Sequence, residues 1–153
     1  MPRTYHVNFR AIVNVSQIFV TKLIADGKKG SIVNFSSIAS KMPVLAAFAY
    51  SALKAGLDHL TRNMAVELAP LNIRVNAINP GRVLTPMLTE GAKEQSRKYG
   101  DRYKITDFLK RFPSPKKTVD MNNIVNTVLF LLSDAAVALI GNTVTVDGGL
   151  HIA

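Results

Sequence analysis

An α/β fold on a parallel sheet is the class this sequence predicts. Helix-period and strand-period patterns alternate along it, its first strand-like run is β-branched and apolar on both faces, and turn residues follow the strands' carboxyl ends. Alternation of this kind brings right-handed crossovers with it. At 153 residues the chain fits one domain.

The first element is a helix from Tyr5 to Ala25, with Val7, Ala11, Val15, Ile18 and Leu23 at helical spacing and Asp26-Gly27 followed by Gly30 as its stop. Ser31 to Phe35 is a β-branched run that reads as a buried parallel strand. After Pro43 a second long helix spans about Phe48 to Ala69, carrying Leu53, Leu57, Leu60, Met64 and Leu68 as its stripe, and Pro70 ends it. Ile73 to Ile78 is the second strand, turned by Pro80-Gly81. Short helices over Pro86 to Lys98 and Thr106 to Arg111 flank a basic segment. Asp120 caps a helix to Leu132, in which Ile124, Val128, Leu131 and Leu132 share a face. Asn142 to Val146 is the last strand, stopped by Gly148-Gly149. Three strands make a small sheet for so much helix, and the first strand, apolar on both faces, belongs in a sheet's centre. Left unpaired on one side it is an exposed apolar edge, which proteins usually avoid. The pattern is that of the second half of a larger doubly wound fold.

Composition narrows the setting. Apolar residues at 48% and charged ones at 19% describe a soluble globular chain. Its most apolar stretches, near Ile12 to Val20 and Val125 to Leu132, fall short of the roughly 18 to 20 residues a membrane helix needs. The N-terminus lacks the apolar core of a secretory signal. With no cysteine there is neither a disulfide nor a zinc-thiolate site. His6, His59 and His151 show no metal-ligand spacing, so no metal is expected. The cytoplasm is the expected compartment. The net charge of +9 is concentrated between Lys93 and Lys117. A basic stretch interleaved with Tyr99, Tyr103, Phe108 and Phe112 has the make-up of a nucleic-acid groove. No nucleic-acid motif accompanies it, and a solvated loop drawn to an anionic cofactor is the preferred reading.

The chemistry lies between Asn34 and Lys54. Tyr50 and Lys54 are four apart and share a helix face, and Ser37 closes the preceding strand. A serine at a strand's end, directed at a tyrosine and a lysine, suits proton transfer at a carbonyl or alcohol oxygen.

With Val7-Asn8-Phe9, Val33-Asn34-Phe35-Ser36-Ser37, Tyr50 with Lys54, Ile73-Arg74-Val75-Asn76, Asn79-Pro80-Gly81 and Val146-Asp147-Gly148-Gly149 in this order, the chain resembles the short-chain dehydrogenase/reductases. It is most similar to their L-xylulose and carbonyl reductase group. The likeness covers the chain from Val7 onward and is weakest over Arg97 to Met121. It implies the C-terminal part of a doubly wound, Rossmann-type parallel sheet and an NAD(P)-dependent reduction of a ketose or dicarbonyl to an alcohol.

By the same resemblance Tyr50 is the acid/base. A free phenol titrates near about 10, and the Lys54 charge would favour its ionised form while the lysine holds the cofactor ribose. Ser37 binds the substrate oxygen, and Asn8 holds a water of a proton relay or, as a plain alternative, serves as a helix-end hydrogen bonder. Pro80, Gly81, Val83 and Thr85 belong to a nicotinamide-side loop, and the basic segment to a substrate lid. The helices 5–25 and 48–69 imply a homo-oligomer, usually a tetramer in this group. The family's glycine-rich phosphate loop does not occur between a first strand and its helix, and the glycines at 27 and 30 precede a strand. The N-terminal cofactor-binding half is thus expected to be absent, and the alternative reading is an inactive fragment acting only through protein contacts. NADP or NAD is the expected cofactor, with the positive charge leaning towards NADP.

Overall fold

The computed structural model describes residues 2–44, 47–100 and 118–152. The predicted helix over 106–111 and most of the basic lid segment lie outside the described residues. Helix α1 (Pro2–Tyr5) runs through a π-turn, His6–Arg10, into α2 (Ala11–Ala25), so the first helix starts three residues before its predicted Tyr5. It stops as its glycine signals: Gly27 takes a φ of +63°, its amide donates to the Ile24 carbonyl at 3.1 Å, and the Lys28 amide donates to the Leu23 carbonyl at 2.9 Å.

Strand β1 (Gly30–Phe35) leads through a 3-10 turn, Ile38–Ser40, to α3 (Phe48–Leu68). Strand β2 (Ile73–Pro80) runs two residues past its predicted end, and α4 (Pro86–Tyr99) follows. Helix α5 (Met121–Leu132) is capped as expected, the Asp120 carboxylate accepting the Asn122 amide at 2.9 Å. Strand β3 (Thr143–Val146) completes the sheet.

The strand order is β1-β2-β3, all parallel, with Gly30 opposite Ile73 and Ala77 opposite Thr143. The central strand is therefore β2, and β1 forms an edge. Its free side is the apolar edge expected of a strand that belongs at the centre of a larger sheet. Within β1, Asn34 is buried and Phe35 is exposed.

Side-chain alternation along a strand sends neighbouring residues to opposite faces. On one face Val33, Ile78 and Val144 pack with Ile124, Leu131 and Val128 of α5. On the other, Asn34 donates to Thr61 Oγ1 of α3 at 2.9 Å, and Thr61 itself bonds the Leu57 carbonyl. A three-layer α/β/α arrangement results. β2 is its centre: Ile73, Val75, Asn76, Ala77, Ile78 and Asn79 are all fully buried. Buried Asn76 is satisfied by the Leu139 carbonyl and the Asn142 amide, which fixes the approach to β3.

Two predicted stripes land differently. Val7, Val15 and Ile18 are exposed, so the first helix turns its apolar stripe outward, and Leu132 likewise lies outside the buried face of α5. Among the described residues no helix is long and apolar enough to cross a membrane.

Candidate active site at the carboxyl edge of the sheet

Because the strands are parallel, the segments after Phe35, Pro80 and Val146 all emerge at one edge, where open α/β sheets bind ligands. Ser37 stands at the end of β1 in extended conformation and caps the 3-10 turn, its Oγ accepting the Ala39 amide at 3.2 Å. Tyr50 occupies the first turn of α3 and is half-buried.

Lys54 follows one turn later, only 6% exposed. Its Nζ donates to the Phe35 carbonyl at 2.7 Å and sits 5.5 Å from the Tyr50 ring centroid. Burial pushes its ammonium group below the usual lysine value of 10.5, and the Asp58 carboxylate one turn on partly offsets this. The lysine is anchored by its backbone as well, since Ser36 Oγ donates to the Lys54 carbonyl at 3.1 Å. Ser37, Tyr50 and Lys54 are therefore carried by adjoining segments locked to one another.

Asn8 lies within the π-turn, a widened helical geometry that often accompanies functional sites. Its Nδ2 donates back to the Thr4 carbonyl at 3.1 Å, so the side chain serves its own helix. That turn faces α3, with a Cβ at Gly56 meeting the Phe9 ring at 3.4 Å.

The loop after β2 is closely backed. The Gly81 amide donates to the Val146 carbonyl at 2.9 Å, and a Cβ at Gly81 would lie 2.7 Å from Asp147 Cα, a space only glycine leaves. Val83 makes a parallel bridge to Val119. Thr85 caps α4, its Oγ1 accepting the Leu88 amide at 3.3 Å, with Pro86 as the first helical residue.

The turn beyond β3 ties these parts together. Asp147, 5% exposed, accepts the Gly149 amide at 3.0 Å, the His151 amide at 2.8 Å and His151 Nδ1 at 2.7 Å. Burial by itself raises the pKa of its carboxyl, but these hydrogen bonds outweigh it and hold it below the usual 3.8. Leu150 then packs on Ile38, directly behind the Ser37 turn. His151 is thus a satisfied histidine, and among the described residues no group of three His, Asp or Glu side chains is placed to hold a metal.

Sequence reasoning missed Asp58, which accepts from Ser40 and Asn79 and lies one turn beyond Lys54. The i, i+4 spacing from Lys54 was the available signal.

The match of residues 1–151 to the family model described as enoyl-(acyl carrier protein) reductase, on top of the Ser37, Tyr50 and Lys54 arrangement, decides the family. This chain is a short-chain dehydrogenase/reductase. It is 44% identical to the L-xylulose reductase of Bos taurus over 95% of its own length and 57% of that relative's. A short chain dehydrogenase of Leptospira borgpetersenii with bound NAD+ superposes with a TM-score of 0.79 at 28% identity, covering 96% of this chain and 54% of that one. A variant of the actinorhodin polyketide ketoreductase with NADPH superposes with a TM-score of 0.80 at 28% identity, covering 94% and 56%. The chain thus spans little more than half the length of the relatives it matches.

Within this short-chain dehydrogenase/reductase, the described residues suit one end of a nicotinamide cofactor. Lys54, Tyr50 and the 80–85 loop share the carboxyl edge of the sheet, where open α/β folds bind ligands. A pyrophosphate cradle is a different matter. The turn after β1 holds no glycine, and its Ala39 and Ser40 amides are already bonded to Ser37. At the Gly148-Gly149 turn, the Gly149 amide is taken by Asp147.

Proposed function

We propose that the chain is the catalytic half of an NAD(P)-dependent carbonyl reductase acting on a ketose or dicarbonyl of the L-xylulose kind. The observation that carries this reading is the buried Lys54 ammonium held 2.7 Å from the Phe35 carbonyl and 5.5 Å from the Tyr50 ring, on the same edge as Ser37.

The chemistry follows from those groups. Ser37, oriented by its turn, donates a hydrogen bond to the substrate carbonyl oxygen and offsets the charge that develops there. Tyr50 passes its phenolic proton to that oxygen, and in the reverse direction takes it back. A cation beneath the ring stabilises the negative charge the tyrosine oxygen then acquires. Asn8, in the π-turn facing α3, would hold the relay water that returns a proton towards Lys54. The nicotinamide cofactor, when bound, supplies the hydride. Lys54 and Tyr50 would hold its ribose, and Pro80, Gly81, Val83 and Thr85 its carboxamide end. The net charge of +9 favours the additional phosphate of NADP. The outward apolar residues Val7, Val15 and Ile18, with Phe48 and Val66 of α3, support a homo-oligomer built on these helices. A chain without cysteine suits the cytoplasm.

A second reading, a catalytically silent fragment acting through protein contacts, is favoured by the lack of a phosphate cradle among the described residues. Titration with NADPH followed by nicotinamide fluorescence separates the two. Saturable binding, with L-xylulose or diacetyl reduction that falls by about 10² or more in Tyr50→Phe, is expected of the reductase. A Tyr50→Phe chain with unchanged turnover overturns the assignment, and absence of cofactor binding selects the silent fragment.

A further inference from the structure

Three segments that reach the site from distant parts of the sequence meet on one buried side chain. Asp58 is 6% exposed on the sheet-facing side of α3. Its Oδ2 accepts the Ser40 hydroxyl at 2.6 Å, and its two oxygens accept from the Asn79 amide at 3.0 and 2.9 Å. Ser40 ends the turn that begins with Ser37, and Asn79 immediately precedes Pro80-Gly81. The Asn79 nitrogen also lies 3.3 Å from the Ser37 carbonyl and 2.9 Å from Ser40 Oγ.

These neighbours determine how the Asn79 amide is turned. A carboxylate and a carbonyl only accept, so the nitrogen must face them. The fully buried Asn79 Oδ1 is thereby left without a donor among the described residues. The fold tolerates an unpaired buried carbonyl in order to direct both amide protons at the Asp58 cluster.

We propose that Asp58 is the positioning residue of this site. It ties the Ser37 turn and the Pro80–Thr85 loop to α3 and sets a negative charge one turn from the Lys54 ammonium. This rests on the proton-transfer reading of Ser37, Tyr50 and Lys54, but its two consequences are readable without turnover. Mechanically, the two loops keep one geometry relative to Tyr50 only while the carboxylate accepts from both. Electrostatically, Asp58 opposes the effect of burial on Lys54. Among the described residues Tyr50 is the other titratable side chain brought to that lysine, and β1 presents it with a neutral carbonyl.

Hydrogen exchange and lysine NMR on the 153-residue chain test both consequences. In Asp58→Ala the amides of residues 37–42 and 81–85 should exchange about tenfold faster, relative to those of α5 in the same sample. In Asp58→Asn the titration midpoint of the Lys54 side chain should fall, and Asp58→Glu should restore it. Exchange that rises equally in α5 and β3 would reduce Asp58 to a general stabiliser and overturn the proposal. Unchanged exchange with an unchanged Lys54 midpoint would overturn it too. If Asp58→Ala does not fold, Ser40→Ala removes the hydroxyl that joins Asp58, Asn79 and the Ser37 carbonyl but leaves Asn79 bonded to Asp58, so it should loosen residues 37–42 more than 81–85; equal protection of both overturns the linkage. Neither measurement depends on hydride transfer, so a failed reductase assay and a failed positioning role remain distinguishable.

Discussion

Replacing Asp147 by asparagine tests how the β3 turn supports the site. The carboxylate accepts three hydrogen bonds at 2.7 to 3.0 Å while 5% exposed. Hydrogen bonds to a charged group contribute about 1.5–3 kcal/mol each and neutral ones about 0.5–1.5 kcal/mol. The substituted side chain would keep one acceptor oxygen for the backbone amides and present an NH2 where the second oxygen stood. A net loss of about 2 kcal/mol at neutral pH follows, or a fall in Tm of about 4–8 °C for a chain this long.

The pH dependence carries the sign. The folded-state pKa of Asp147 lies below 3.8, so between that lower value and 3.8 the unfolded chain binds more protons than the folded one. Its contribution is complete above 3.8 and is lost as the pH falls through the folded value. Thermal unfolding followed by far-ultraviolet circular dichroism, from neutral pH downward, should show wild type and Asp147→Asn separated at pH 7 and converging in acid. A separation that stays constant to the lowest pH would refute the argument, because the effect would then not come from ionisation.

Other outcomes follow from the same geometry. Gly81→Ala places a methyl 2.7 Å from the Asp147 backbone and should cost about 1–3 kcal/mol in urea unfolding, with faster amide exchange in the 81–85 loop. Lys54→Met removes a buried ammonium whose folded pKa is lowered. Wild-type stability should therefore rise with pH between that lowered value and 10.5, and the variant's curve should be flatter there. Leu57→Ala, at a fully buried position of α3, should cost about 2–5 kcal/mol by the same unfolding assay.

What the sequence conveyed and what it withheld divide along physical lines. Local signals were legible: the glycine stop at Gly27, the Asp120 cap, the strand patterns and the spacing of Ser37, Tyr50 and Lys54 each depend on residues close together in the chain. Strand order was not, because the pattern of each strand records how far it is buried and not which neighbour it pairs with, and the pairing choice belongs to the whole sheet. The π-turn around Asn8 has no spacing signature. Thr85, expected beside a carboxamide, also spends its hydroxyl on the first turn of α4, a use its place before Pro86 does signal. The meeting of Ser40, Asp58 and Asn79 was hidden most thoroughly, since three ordinary polar residues acquire meaning only when the parallel strands bring them within 3 Å.

The packing of Leu150 on Ile38 sets a timetable. Synthesis delivers the Ser37 turn well before Leu150, and parallel strands gain their pairing only after long loops have closed. Until β3 and Leu150 arrive, the turn carrying Ser37 lacks its backing, and β2 lacks the partner that holds Gly81 through Val146. The Ser37 turn and the Gly81 turn therefore acquire their final geometry only once β3 and Leu150 have docked. A smaller side chain at Leu150 would therefore be felt first at the Ser37 turn, far from it in sequence.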